Sequence, residues 1–317
     1  MRWCRHLFFT LLLTASCVAV VAQDADSLLL SDVETEFSFE DSLSIFNLID
    51  SLLQQGDLDA SQLAVRISYN SNVQSTGRTL GIENFGLSPG ISYYHKSGLY
   101  GDVSGFYSKD FDPSYYLTVV SLGYMRDFSK HFSIMAGYDR YFYVVSDDNY
   151  IPYKNALSLT PVLEFKPLAL SATYSFYFGD ANAHRIMPGI NLILERKKFL
   201  SIDRVAITPS FFMLLGNEVF TELEFVAPRN RLEGLFNLKE YDSWYKPVKS
   251  EKKVFGIMNY AISIPMSITH KNWGFAFSYT YNIPEALPGE SLTISESSYL
   301  SGSLTYFIGL KRNKLSL

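Results

Sequence analysis

The spacing that comes nearest to catalytic chemistry is His95-Lys96-Ser97, which puts an imidazole two residues from a hydroxyl. Such a pair serves as general base and nucleophile when a third group orients the imidazole. Here Gly98 follows at once and extended segments flank both sides, so the run reads as a hairpin turn. His131 and His270 fall in similar turn-like runs. Asp180, Asn182 and His184 bring three oxygen or nitrogen donors close together, but calcium and zinc sites need more ligands. No Gly-rich phosphate loop and no paired catalytic carboxylates stand out. The sequence therefore assigns no catalytic, cofactor-binding or metal-binding residue.

Two further groups of side chains suit binding rather than reaction. Arg66, Asp102, Glu164, Asn191 and Glu195 each fall on the polar side of an alternating segment. Facing a lumen, they would either satisfy one another or bias which ions and solutes pass. Tyr241, Trp244 and Tyr245 cluster inside 216–253, a stretch with seven acids and seven bases. It is expected to be a long solvated loop, its aromatic faces candidate contacts for sugars, because loops of this length are often functional. Pro228 and Pro247 predict irregular structure in its middle.

The elements that must carry these residues follow a two-beat rhythm. In Leu168, Leu170, Ala172, Tyr174, Phe176 and Phe178, one face opposes Ala169, Ser171, Thr173, Ser175 and Tyr177. A period of two places the two sets on opposite faces of a sheet. Twelve such segments are expected, near 62–70, 84–95, 99–108, 115–126, 132–143, 155–165, 168–178, 185–196, 199–215, 254–269, 273–282 and 298–310. Counts of ten or fourteen stay open, because Val219 to Val226 also alternates. The links sort into short turns, most with a lysine, and longer polar loops that include 179–184 and 216–253. Strict alternation of link lengths fits an up-and-down antiparallel barrel, and an even count returns both ends to one side. Pro89, Pro161, Pro188, Pro209 and Pro265 fall inside these segments, and each should mark a bulge or a rim position.

The start of the chain carries Arg2 and Arg5, then an apolar run from Leu7 to Leu13, then small residues ending at Ala22. This is the layout of a cleaved secretory signal over 1–22; a retained helix and acylation at Cys17 are the alternatives. Both cysteines, Cys4 and Cys17, lie in this segment. The net charge is −5, and the loss of Arg2 and Arg5 makes it −7. Residues 23–61 hold ten acids and no Lys or Arg, which leaves +3 on 62–317. Neither value nor any basic run suggests nucleic acid. Within this acidic leader, Leu43, Phe46, Ile49 and Leu53 form a helical stripe that Asp41 or Ser42 caps and Gly56 ends. The helix would pack at the barrel mouth, plug the lumen or bind a periplasmic partner.

After residue 22 no apolar run is long enough for a spanning helix, yet aromatics make up 15% of the chain. In hydrocarbon a closed barrel pairs every backbone group with segments only half apolar. The signal, alternating segments, sorted links and last strand with Gly302, Tyr306 and Phe307 resemble Gram-negative outer-membrane β-barrel proteins. The alanine-then-glutamine junction and acidic leader look like Bacteroidota proteins. That family usually ends its last strand on an aromatic residue, whereas here 311–317 follows as a periplasmic tail. The expectation is an all-β, transmembrane, up-and-down antiparallel β-barrel of about twelve strands over 62–310, in the outer membrane and in contact with its lipid. Its expected function is a narrow or plugged pore for small solutes. The alternative is a structural or adhesive barrel that binds a partner through its loops or leader, and a lipid hydrolase ranks last.

Overall fold

Alternation of apolar and polar residues in consecutive segments, with tight turns between them, drives neighbouring strands to pair antiparallel. The computed structural model describes residues 61–71, 86–109, 113–144, 153–288 and 296–310. The expected signal, leader helix and tail lie outside these residues.

The strands are β1 (Ser61–Asn70), β2 (Gly86–Tyr94), β3 (Leu99–Tyr107), β4 (Tyr115–Ser129), β5 (Phe132–Tyr143), β6 (Tyr153–Phe165) and β7 (Leu168–Gly179). They continue as β8 (Asn182–Leu192), β9 (Leu194–Phe199), β10 (Ile202–Ile207), β11 (Ser210–Val226), β12 (Lys246–His270), β13 (Trp273–Pro284) and β14 (Ser297–Leu310). One helix, α1 (Arg231–Tyr241), lies between β11 and β12. Only Ile193 separates β8 from β9, and only Thr208 and Pro209 separate β10 from β11. Each of those pairs forms one long stave, so the fourteen segments make twelve staves. β1 pairs with β14 from Ser61↔Leu310 to Asn70↔Ser301, which closes the barrel. Closure leaves no long open edge on the spanning sheet.

The expected twelve-strand antiparallel barrel is therefore the fold, and its two faces separate by parity. On β1, Val65, Ile67 and Tyr69 are exposed while Ala64 and Arg66 are buried. The outer face continues with exposed Ile91, Val103, Leu122, Leu157, Leu159, Leu170, Ile190, Ile262, Ile264, Phe275 and Phe277. Exposed rings stand toward the strand ends, including Tyr93, Tyr124, Phe128, Phe165 and Trp273 on the turn side. A continuous apolar belt flanked by aromatics around a closed sheet is the surface that an outer membrane requires.

The prolines behave differently from expectation. Pro89, Pro161 and Pro188 hold full register with one neighbour, opposite Ile67, Ile134 and Ala172. On the other side the ladder skips them and resumes in the same register. Pro265 pairs with Ser278 and is skipped toward β10 and β11, and Pro209 separates β10 from β11. The missing N–H thus interrupts one ladder locally instead of producing a bulge or a rim. Pro209 and Pro265 still accept, from Leu192 N–H at 2.8 Å and Thr208 N–H at 2.9 Å.

Two links also differ. Residues 179–184 do not form a long loop: Asn182 and Ala183 pair with Phe178 and Tyr177, which leaves Asp180 and Ala181 as the turn. The 216–253 stretch is mostly regular structure. β11 and β12 run on as a two-stranded ribbon to Val226↔Lys246, past the point where β8 stops pairing with β11. Its tip is helical, not irregular. Asn230 accepts from Glu233 N–H, which satisfies a first-turn helical donor, and the Glu233 carboxylate accepts from Arg229 N–H just before the cap.

Candidate functional site

Parity directs the polar half of each stave into the barrel, and the candidate site is this inner wall. Its mid-section consists of small or hydroxyl side chains paired across strands. Thr160 meets Thr173 at 3.0 Å, Ser263 meets Thr280 at 2.9 Å, and Asn259 donates to Asn282 at 2.9 Å. Hydroxyls and amides that bond sideways along the wall need no apolar core in front of them.

Arg66 and Asp102 form the first charged group. Arg66 Nη2 donates to Asp102 Oδ1 and to Ser104 Oγ, each at 2.9 Å, and Ser104 Oγ donates to Asp102 Oδ2 at 3.0 Å. Both charged side chains are about 95% buried, so the pair carries its desolvation cost together. Gly90 makes room for it: a Cβ there would lie 2.7 Å from Ser104 Oγ and 3.1 Å from Arg66 Nη2.

The second charged group lies at the turn end. Lys166 Nζ is 3.2 Å from Glu195 and 3.5 Å from Glu164, and Arg204 Nε donates to the other Glu195 oxygen at 3.2 Å. Burial works against the Lys166 charge, but the hydrogen bond and charge of Glu195, joined by Glu164, hold its amine above the ordinary lysine value. Asn191 sits on the same face between β7 and β11, opposite Ala169 and Ser210. The five residues singled out from the sequence thus fall into two clusters and one separate amide.

Bulky inward groups occupy both ends of the wall. At the turn end Ala64, Tyr94 and Phe307 pack with Tyr100, Met125 and Met135. Tyr100 packs against Gly123, where a Cβ would come within 2.3 Å of its ring. At the other end Arg185 crosses Gly216 beside Met258 and donates to Asn217 O at 2.6 Å. Leu287 tucks in over Gly256 and is fully buried, as is Met258. Arg185, Arg204, Asp139 and Tyr100 were not singled out from sequence, although the same parity that selects Asn191 and Arg66 points them inward.

The chemical candidates resolve into local structure. His95 Nδ1 lies 2.8 Å from Ser97 Oγ and also accepts from Ser97 N–H at 3.3 Å, which is turn geometry. His184 faces outward, stacked on Phe176 at 4.9 Å and hydrogen-bonded to Tyr174, while Asp180 pairs with Lys154 at 2.8 Å. Among the described residues no three His, Cys, Asp or Glu side chains gather as a metal site. At the ribbon tip, Trp244 packs over Gly234 and its carbonyl accepts from Asn237. Tyr241 and Tyr245 point to solvent near exposed Leu232, Leu235 and Phe236. The hydrogen bond from Tyr241 to Glu240 raises the phenol's pKa.

No protein-family model and no curated protein matches the chain. Among solved structures it is similar to the KdgM porin, at 11% identity and a TM-score of 0.43, covering 77% of this chain and 98% of that one. It is also similar to the NanC porin, at 10% identity, TM-score 0.40 and the same coverages. LpxR from Salmonella typhimurium aligns at 9% identity and TM-score 0.37, over 78% of this chain and 100% of that one. All three values lie below 0.5, and the barrel rests on its own register.

Proposed function

We propose that the chain is a narrow outer-membrane pore for small solutes. The observation that carries this reading is an inner wall of hydroxyls, amides and paired charges inside a closed twelve-stave barrel. Twelve strands about 4.8 Å apart and tilted about 40° give a circumference near 75 Å and a diameter of about 24 Å. Two layers of inward side chains leave roughly 10 Å, less where Tyr100, Phe307, Leu287 and Arg185 reach in. Arg66, Asp102, Glu164, Asn191 and Glu195 belong to this wall and bias passage through it. Acids and bases are paired on it, Arg66 with Asp102 and Arg204 with Glu195, which suits small neutral or zwitterionic solutes over strongly charged ones. Plugging by the acidic leader is the finer form of the same reading.

Purified, refolded protein in a planar bilayer should show discrete conductance steps, larger after residues 23–60 are deleted if the leader obstructs the lumen. Protein that folds and inserts without any step, in either form, removes the pore reading.

A second reading is favoured by one feature, the exposed apolar helix α1 at the end of its ribbon. A barrel that binds a partner through Leu232, Phe236, Tyr241, Trp244 and Tyr245 would lose capture, but not folding, when 227–245 is replaced by a two-residue turn. Lipid hydrolysis has no support beyond the His95-Ser97 contact, and His95→Ala should leave any background hydrolysis unchanged.

A further inference from the structure

We infer that β9 is a docking edge for the chain's own acidic leader, with residues 32–40 added to it as an antiparallel strand. The inference is independent of whether the barrel conducts.

The first observation is topological. β9 pairs with β10 alone, and among the described residues nothing pairs with its other edge. β7 stops at Leu168, opposite Leu192, and Ile193 N–H already bonds to Pro167 O at the turn. The next six residues run about 20 Å beyond that turn at roughly 3.4 Å each. An unpaired strand edge is a template for another strand, and it is used for peptide recognition as well as guarded against aggregation.

The second observation is charge. β9 and its turn present Arg196, Lys197 and Lys198 in succession, all exposed, with Glu195 already held by Lys166 and Arg204. Consecutive lysines on an edge repel most chains, but an acidic strand is accepted because cross-strand pairs of opposite charge are favourable. The neighbouring turns add exposed Lys96, Lys130 and Lys271 on the same side.

The third observation is the pattern of the occupant. Asp32, Glu34, Glu36, Ser38 and Glu40 alternate with Val33, Thr35, Phe37 and Phe39. That is period two, with strand-favouring Val, Thr and Phe alternating with residues that are mostly acids. Leu194 and Arg196 share the outward face of β9, and exposed Lys198, whose φ of 55° ends the extended run, adds a base at its tip, so acids and bases meet when the two strands pair.

Reach permits the contact. β1 begins at Ser61 on the same side of the barrel, five strands from β9 by way of β14, β13, β12 and β10. Residues 41–60 span up to about 66 Å when extended, and about 40 Å if 42–53 is helical, against a mouth about 24 Å wide. The leader is therefore long enough to reach β9 from β1 across the mouth.

The test uses the full chain with Cys4→Ser and Cys17→Ser, so that introduced cysteines are the only thiols. Glu36→Cys is paired with Arg196→Cys on β9, with Lys96→Cys on another basic turn, or with Ser104→Cys inside the lumen. Refolded, heat-modifiable protein is treated with a short bismaleimide. Intramolecular cross-linking to position 196 should exceed that to 96 or 104 by about fivefold, as expected from a few favourable cross-strand pairs. It should fall in about 1 M salt, where the screening length drops to roughly 3 Å. Lys198→Glu should lower it, and adding Glu34→Lys should restore it. Equal cross-linking to 96 would mean only diffuse attraction to the rim and would overturn the docking edge. So would dominant cross-linking to 104, cross-linked dimers, or no product in folded protein.

Discussion

Arg66 and Asp102 stand thirty-six residues apart in sequence and meet at 2.9 Å inside the barrel, with 5% and 4% of their side-chain surfaces exposed. The contact joins β1 to β3 across the intervening β2, where only Gly90 leaves enough space. A charge pair so enclosed gains its value from completeness, since either partner alone would be a buried, uncompensated ion.

Asp102→Ala should therefore destabilise the barrel by about 3 kcal/mol, and Arg66→Met by a similar amount. The double substitution Arg66→Met, Asp102→Leu should cost clearly less than the two single losses together. Urea titration of the folded fraction in lipid vesicles would measure all three.

The close contact between Tyr100 and Gly123 gives a steric prediction. Gly123→Ala drives a methyl into the ring, and overpacking of this kind costs about 1–3 kcal/mol. Tyr100→Ala should relieve most of that cost when the two are combined. The same urea midpoints provide the comparison.

Parity can be tested on one strand. Ile67→Arg puts a charge on the lipid-facing belt and should cost about 2–4 kcal/mol near mid-membrane, falling toward the rims. Ser68→Arg, one residue on, points inward and should cost much less. Equal losses at both positions would contradict the assignment of faces.

The Lys166–Glu195–Arg204 group predicts a pH window. Lys166 has its pKa raised, so its contribution is complete below the ordinary 10.5 and is lost as pH climbs through the raised value. Glu195 has its pKa lowered, because Lys166 and then Arg204 outweigh the effect of its burial; its contribution is present above 4.5 and is lost as pH falls through the lowered value. Lys166 is about half exposed, so the effect is local and not global. A spin label at Lys197→Cys should stay restrained from pH 4.5 to 10.5 and loosen only as pH rises above or falls below that range. Glu195→Gln should loosen it throughout.

Much of the barrel was legible because a spanning strand has to alternate. Val65, Ile67 and Tyr69 against Ala64, Arg66 and Ser68 already separate outside from inside, and all twelve staves were located this way. Where the sequence failed, strand limits are set by a partner and not by pattern. Asn182 and His184 look like loop residues until β7 is placed beside them. The ribbon beyond Gly216 exists because β11 and β12 pair with each other after the barrel wall has ended. Helix α1 was hidden because its apolar residues face every direction, while Pro228 and Pro247 suggested irregular chain. Arg185 and Arg204 lie near segment ends, where parity was least certain, and Gly90 and Gly123 gain meaning only once the side chains they admit are known.

The central claim, that small solutes cross through this wall, is tested most directly by swelling of liposomes that contain the refolded protein. Isotonic transfer into glycerol or a pentose should produce rapid swelling, and transfer into a tetrasaccharide should not, which would set a size limit consistent with a lumen of about 10 Å. Liposomes that carry heat-modifiable, inserted protein and fail to swell in any of these solutes would contradict it.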